Sequence, residues 1–168
     1  DPDHKEREFL TLDELTAMTE IKLEDPNMAF ARDLFVFGCW TGISFIDTKN
    51  LTEDKISMIN GAPWIVSKRQ KTGVPFQVKL MDIPMRIVER YKPLRKDCHL
   101  FNIGRLDTIN KRIKKVAAMC GIKKRISYHV SRHTFAILSL EYGMPIETVS
   151  KILGHTNITT TQIYAKVT

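Results

Sequence analysis

The stretch YHVSRHTFAILSLEYGMPIETVSKILGHTNITTTQIYAKV, residues 128–167, decides how this chain reads. It carries His129, His133 and His155 out of five histidines in all, with Arg132 among them and Tyr164 close to the end. Its punctuation predicts three helices. HVSRHTFAILSLEYG runs to a stop at Gly143, PIETVSKILG starts on Pro145 and stops at Gly154, and ITTTQIYAKV is a last short helix bearing Tyr164. His129 and Arg132 lie three apart and so share a helix face, whereas His133 falls on a neighbouring face. Arg132 stays protonated at neutral pH, and its planar fork suits a phosphate better than a lysine would. His155 follows a helix-stopping glycine, which lets its ring project from a helix end into a cleft.

Three explanations compete for this crowding: a helical core that contains histidines, a metal site, or a catalytic site for an anion. His129 and His133 have the i, i+4 spacing of a zinc-binding HExxH helix, but Val130 and Ser131 follow His129, so the glutamate is missing. No acidic or cysteine ligand stands close by in sequence, and no metal is expected. Cys39, Cys98 and Cys120 are odd in number and share no close spacing, which fits free thiols in a reducing compartment.

Working outward, FLTLDELTAM opens with a capping box, Thr11 as N-cap and Glu14 three residues on, and places Leu12, Leu15 and Met18 on one apolar face. MAFARDLFVFGCWTG is strongly apolar and closes at Gly42, so it reads as a buried helix. Between Lys55 and Leu80 the pattern changes to short strands and tight turns: KISMIN, Gly-Ala, PWIVSK, RQKTG and VPFQVKL. That predicts a three-stranded antiparallel sheet with Lys71 and Gly73 at its second turn. Helical patterning returns in RIVERY and in RLDTINKRIKKVAAMCG, which ends at Gly121. The expected fold class is α+β, mainly α, in a single domain over 1–168, with the polar start DPDHKERE as a linker.

The chain has 26 Lys plus Arg against 19 Asp plus Glu, a net charge of +7. The positive charge clusters in KRQK at 68–71, YKPLRK at 91–96 and NKRIKKVAAMCGIKKR at 110–125. Each run can be a solvated face, but together they make a polyanion such as nucleic acid the favoured partner. No apolar run approaches the ~20 residues that span a bilayer.

Taken as one unit, HVSRHTFA…LGHTNITTTQIYAKV resembles the signature of the tyrosine site-specific recombinases, the lambda-integrase family: H-x-x-R-H, then L-G-H, then a tyrosine nine residues later. RQKTG resembles the family's lysine-bearing β-hairpin, and FGCWTGISFIDTKNL its first arginine box, so the likeness runs from about Phe9 to the end. It implies a tyrosine-recombinase catalytic domain. Tyr164 would be the nucleophile, Arg132 and His155 would hold the scissile phosphate, His129 would be a general acid–base, and Lys71 the acid on the leaving 5′ oxygen. It further implies double-stranded DNA as partner, no cofactor, a homotetramer on DNA when full length, and a bacterial, nucleoid-associated cytoplasmic setting. The chain is expected to be a fragment, with the N-terminal DNA-binding domain absent. A service to conjugative transposons or phage-like elements is the expected role, with resolvase, invertase or an inactive DNA-binding module as alternatives.

One position departs from the pattern. The first box ordinarily reads T-G-L-R, and here it reads Thr41-Gly42-Ile43-Ser44. Ser44 carries no charge, and losing one electrostatic clamp on a transition state costs on the order of 10³-fold in rate. Arg69, on the same hairpin as Lys71, is the candidate replacement; its other reading is a solvent-facing or DNA-backbone residue.

Overall fold

The computed structural model describes residues 8–166. The linker reading of residues 1–7 and the Val167 end of the last helix lie outside the described residues.

Helix α1 (Leu12–Glu20) starts on the expected capping box, with Thr11 Oγ1 accepting from the Glu14 amide at 3.2 Å and Glu14 Oε1 accepting from the Thr11 amide at 3.0 Å. Helix α2 (Pro26–Thr41) is the central element. It is apolar on every side, and Leu34, Phe35, Val36 and Phe37 are all buried, which is the pattern of a helix enclosed by others. Asp25 caps its start, and Gly42, at φ 72°, ends it in the left-handed conformation that glycine adopts without Cβ strain. Two charges inside this helix are paired: Asp33 accepts from Arg32 at 2.7 Å, Arg90 at 2.8 Å and the Tyr91 hydroxyl at 2.5 Å.

A short helix, α3 (Phe45–Asn50), follows at once; the sequence patterning did not announce it. Strands β1 (Ile56–Ile59), β2 (Ala62–Lys68) and β3 (Pro75–Lys79) form the expected antiparallel sheet in the order β1-β2-β3. The first hairpin turns on Asn60-Gly61, both at positive φ, as a two-residue primed turn requires. The second spans residues 69–74 between the Lys68–Pro75 pair, so Lys71 and Gly73 do sit in it.

Helix α4 (Asp82–Tyr91) begins four residues earlier than RIVERY suggests, because Pro84 is tolerated in a first turn. Then come α5 (Leu106–Met119), α6 (Tyr128–Glu141), α7 (Ile146–Leu153) and α8 (Ile158–Ala165). The expected mainly helical α+β class is what the structure has. Its larger core surrounds α2, and a smaller one gathers Phe135, Ala136, Ile137, Val149, Leu153 and Tyr164 where α6, α7 and α8 meet. No helix of the described residues is long and apolar enough to cross a membrane.

Candidate active site

Helix α6 supplies the centre of the site. It crosses α2 so closely that a Cβ added at Gly38 would lie 2.8 Å from Ser131 Cβ. Arg132 is therefore deep, at 5% exposure. Its Nη1 donates to the Gly42 carbonyl at 2.6 Å and its Nη2 to the Leu153 carbonyl, so one guanidinium joins the C-terminal ends of α2 and α7. Carbonyls at helix ends carry partial negative charge, which favours a cation there. Two terminal nitrogens are so occupied, but each bears a second N–H, and Nε a third donor. Arg132 is pulled down to about 10, first by burial and then by the positive charge of Arg69, with Tyr164 and Asp47 acting in the opposite direction. It is charged at neutral pH, beside a second guanidinium.

That second cation is set by Ser44 and Asp47. Ser44 caps α3, donating to Asp47 Oδ2 at 2.8 Å and accepting from the Asp47 amide at 3.3 Å. Asp47, buried, takes the Gln70 amide on Oδ1 at 2.9 Å and faces Arg69 Nε at 3.7 Å on Oδ2. The hairpin is thus drawn onto α3, and Arg69 turns inward with its stem lying across Gly154. Its side chain is 17% exposed, and Nε is buried without a hydrogen bond among the described residues. The Arg69 side chain thus points inward rather than into solvent.

Tyr164 comes from α8, which Asn157 caps by accepting from the Thr159 amide at 3.0 Å. The phenol is 4% exposed. His155 is half-buried between α7 and α8, its Nδ1 2.6 Å from Thr161 Oγ1, which fixes the ring plane. His129 is exposed at the start of α6. Its ring meets that of His133 edge-on, centroids 4.5 Å apart, and His133 in turn lies 5.6 Å from the Tyr164 ring.

Arg132, Arg69, His155, Tyr164 and His129 therefore converge around the ends of α2, α6, α7 and α8. Lys71 does not join them: it is exposed at the hairpin tip, with no hydrogen bond or ion pair to the cluster among the described residues. His133, set aside on helical spacing, does join, because α8 approaches the α6 face that it occupies. Asp47 was not singled out at all. Its signal was Ser44-x-x-Asp47, a capping-box-like spacing. Among the described residues the one group spaced to hold a metal is Asp97, Cys98 and His99, none of them in this cluster.

Residues 8–168 match the phage integrase family. This chain belongs to that family. Within the phage integrase family it is 27% identical over 162 residues to tyrosine recombinase XerC of Serratia marcescens, covering 92% of this chain and 54% of that one. It is 36% identical over 98 residues to tyrosine recombinase XerA of Saccharolobus solfataricus, covering 58% of this chain and 33% of the relative. In fold it is similar to XerH site-specific recombinase bound to palindromic difH substrate in a post-cleavage complex, with a TM-score of 0.81 at 20% identity over 96% of this chain and 50% of the other. A lambda integrase dimer bound to a COC′ core site superposes with a TM-score of 0.74 at 17% identity, over 94% and 59% of the two chains. The chain spans about half the length of the Serratia relative, 54%. The family likeness read from the HxxRH, LGH and tyrosine spacing is thus shown, and with it the fold class.

Proposed function

We propose that this domain cuts and rejoins DNA strands through a 3′-phosphotyrosine intermediate, as a site-specific tyrosine recombinase. The observation that carries the reading is the grouping of two guanidiniums, Arg132 and Arg69, with Tyr164, close enough for Arg69 and Tyr164 both to act on the charge of Arg132. Two cations held that close repel each other until an anion sits between them, which is the electrostatic condition for binding a phosphodiester. Arg69 then stands in for the arginine missing at position 44.

The chemistry is an in-line displacement at phosphorus, in which catalysis rests on positioning and charge stabilisation. The Tyr164 oxygen attacks, its proton passing to His129. The bond to the 5′ oxygen breaks, and that oxygen takes a proton from Lys71 once the hairpin closes on DNA. Arg132, Arg69 and His155 hold the non-bridging oxygens as charge builds on them. The phosphotyrosine conserves the bond energy, so attack by a 5′ hydroxyl reverses the step and no nucleotide is consumed. A free tyrosine has a pKa near ~10 and is a weak nucleophile at neutral pH, which is why the surrounding cations matter.

The whole protein's role is read in the same way: a tetramer on double-stranded DNA in the bacterial cytoplasm, integrating or excising a mobile element. A second reading, an inactive DNA-binding module, is favoured by the uncharged Ser44 and by the exposed Lys71. Covalent trapping separates the two. Protein is incubated with nicked duplexes from the DNA flanking its own gene, and SDS-resistant adducts are compared among wild type, Tyr164→Phe and Arg69→Ala. An adduct lost with Tyr164→Phe supports the enzyme and its nucleophile, and one lost with Arg69→Ala supports the replacement clamp. Binding with no adduct from wild type establishes the inactive module.

A further inference from the structure

His133 has no role in the steps above, yet its ring touches the rings of both groups that exchange the tyrosine's proton. One turn after His129 on α6, it is 7% exposed, and its ring packs edge-on against His129 and tilted by 47° against Tyr164. A tyrosine side chain swings about two torsions, and its oxygen lies at the far end of the lever. A few degrees at the ring therefore move the attacking atom by a sizeable fraction of an ångström. Apolar residues of α6 and α7, among them Phe135, Val149 and Leu153, also pack around Tyr164, and His133 is the polar ring in contact with both Tyr164 and His129.

We propose that His133 is a positioning residue for Tyr164. Its flat imidazole is the wall that sets the phenol's direction, and because it also backs His129, it fixes nucleophile and proton acceptor relative to each other. The inference rests on reading Tyr164 as the nucleophile. His133 does not touch the phosphate in this account, so DNA affinity is independent of it.

The test compares wild type, His133→Ala and His133→Phe in two assays, with melting temperatures as the check on folding. The first needs no DNA: hydrogen exchange of the amides in α8 relative to those of α7. The second is the single-turnover adduct rate on saturating nicked duplexes, with Kd from gel shifts. Removing the wall is expected to speed exchange in α8 but not in α7. It is also expected to slow adduct formation by about 10²-fold, the cost of misplacing a reacting atom by about 1 Å, with Kd unchanged. Phenylalanine keeps a flat wall and restores both to within a few-fold. Loosening of α7 and α8 together, a loss that follows Kd, or a folded His133→Phe no better than His133→Ala overturns the proposal. If wild type forms no adduct on any duplex, the enzyme reading has failed, and the exchange assay alone decides whether His133 holds Tyr164.

Discussion

Arg69 crosses the chain directly over Gly154: a Cβ added to that glycine would lie 2.5 Å from Arg69 Cδ and 2.9 Å from Cγ. Gly154 therefore has two duties. It ends α7 at φ 69°, and it leaves the opening through which Arg69 reaches the cleft. Gly154→Ala is expected to cost about 1 kcal/mol of left-handed strain, and in addition to expel Arg69 and lower the adduct rate at least tenfold. In an Arg69→Ala background the rate penalty disappears and only the strain remains, so a double-mutant cycle measures the crossing itself.

If Arg69 replaces the arginine missing at Ser44, as proposed, a guanidinium at either position should serve as the same charge. Ser44→Arg combined with Arg69→Ala places a guanidinium near Asp47 from the other side, and it should recover much of the adduct formation that Arg69→Ala loses. Ser44→Arg alone sets a second cation competing for Asp47 and is expected to lower the rate. No recovery in the double variant, with no loss from Ser44→Arg alone, removes Arg69 from the clamp.

The two guanidiniums also make a testable anion site. Inorganic phosphate should therefore stabilise the folded chain, by about 1.4 kcal/mol at tenfold Kd, a rise of a few degrees in Tm for a domain of this size. Arg69→Ala should lose most of it. The sign with pH follows from Arg132, whose folded pKa of about 10 lies below its ordinary value. Carrying its proton costs stability in the folded state, and that cost is relieved as pH rises through about 10. The phosphate effect fades over the same range, because the cation that attracts the anion is being lost. Thermal melts across pH 7–11 with and without phosphate read both trends.

The α2–α6 crossing predicts a purely structural effect. At Gly38 an added Cβ meets Ser131 Oγ and lies 2.8 Å from Ser131 Cβ, with the Tyr128 hydroxyl at 3.2 Å. Gly38→Ala is expected to destabilise by about 1–3 kcal/mol through overpacking. Gly73→Ala, with nothing within 4 Å at the hairpin tip, should cost only its positive-φ strain. A chemical denaturation series on the two variants checks the contrast.

How far the sequence carries can be seen residue by residue. The helix stops at Gly42, Gly143 and Gly154 and the Thr11–Glu14 box are local signals and are where the residues said, while the first hairpin turn, read at Gly-Ala, falls one residue earlier on Asn60-Gly61. Arg132, His129, His155 and Tyr164 were legible because their spacing is fixed along the chain. Asp47 was not, since α3 is six residues long and too short to show a period. Nor was His133, because a helical wheel ranks residues against their own helix and says nothing of where α8 arrives. Lys71 was legible as a hairpin residue, but its distance from the cluster depends on how the hairpin tip is drawn over the cleft.

Beside the phosphate-holding role proposed for it, Arg132 is a rivet, since its two carbonyl partners end different helices. Decay of the enzyme by drift therefore cannot begin there. A lineage that stopped recombining would shed Lys71 or the hydroxyl of Tyr164, whose ring belongs to the smaller core, at little cost to folding, and would keep Arg132 for the two helix ends it joins. Among descendants of this domain, then, the arginine records only that the protein still folds, and the tyrosine records whether it still cuts.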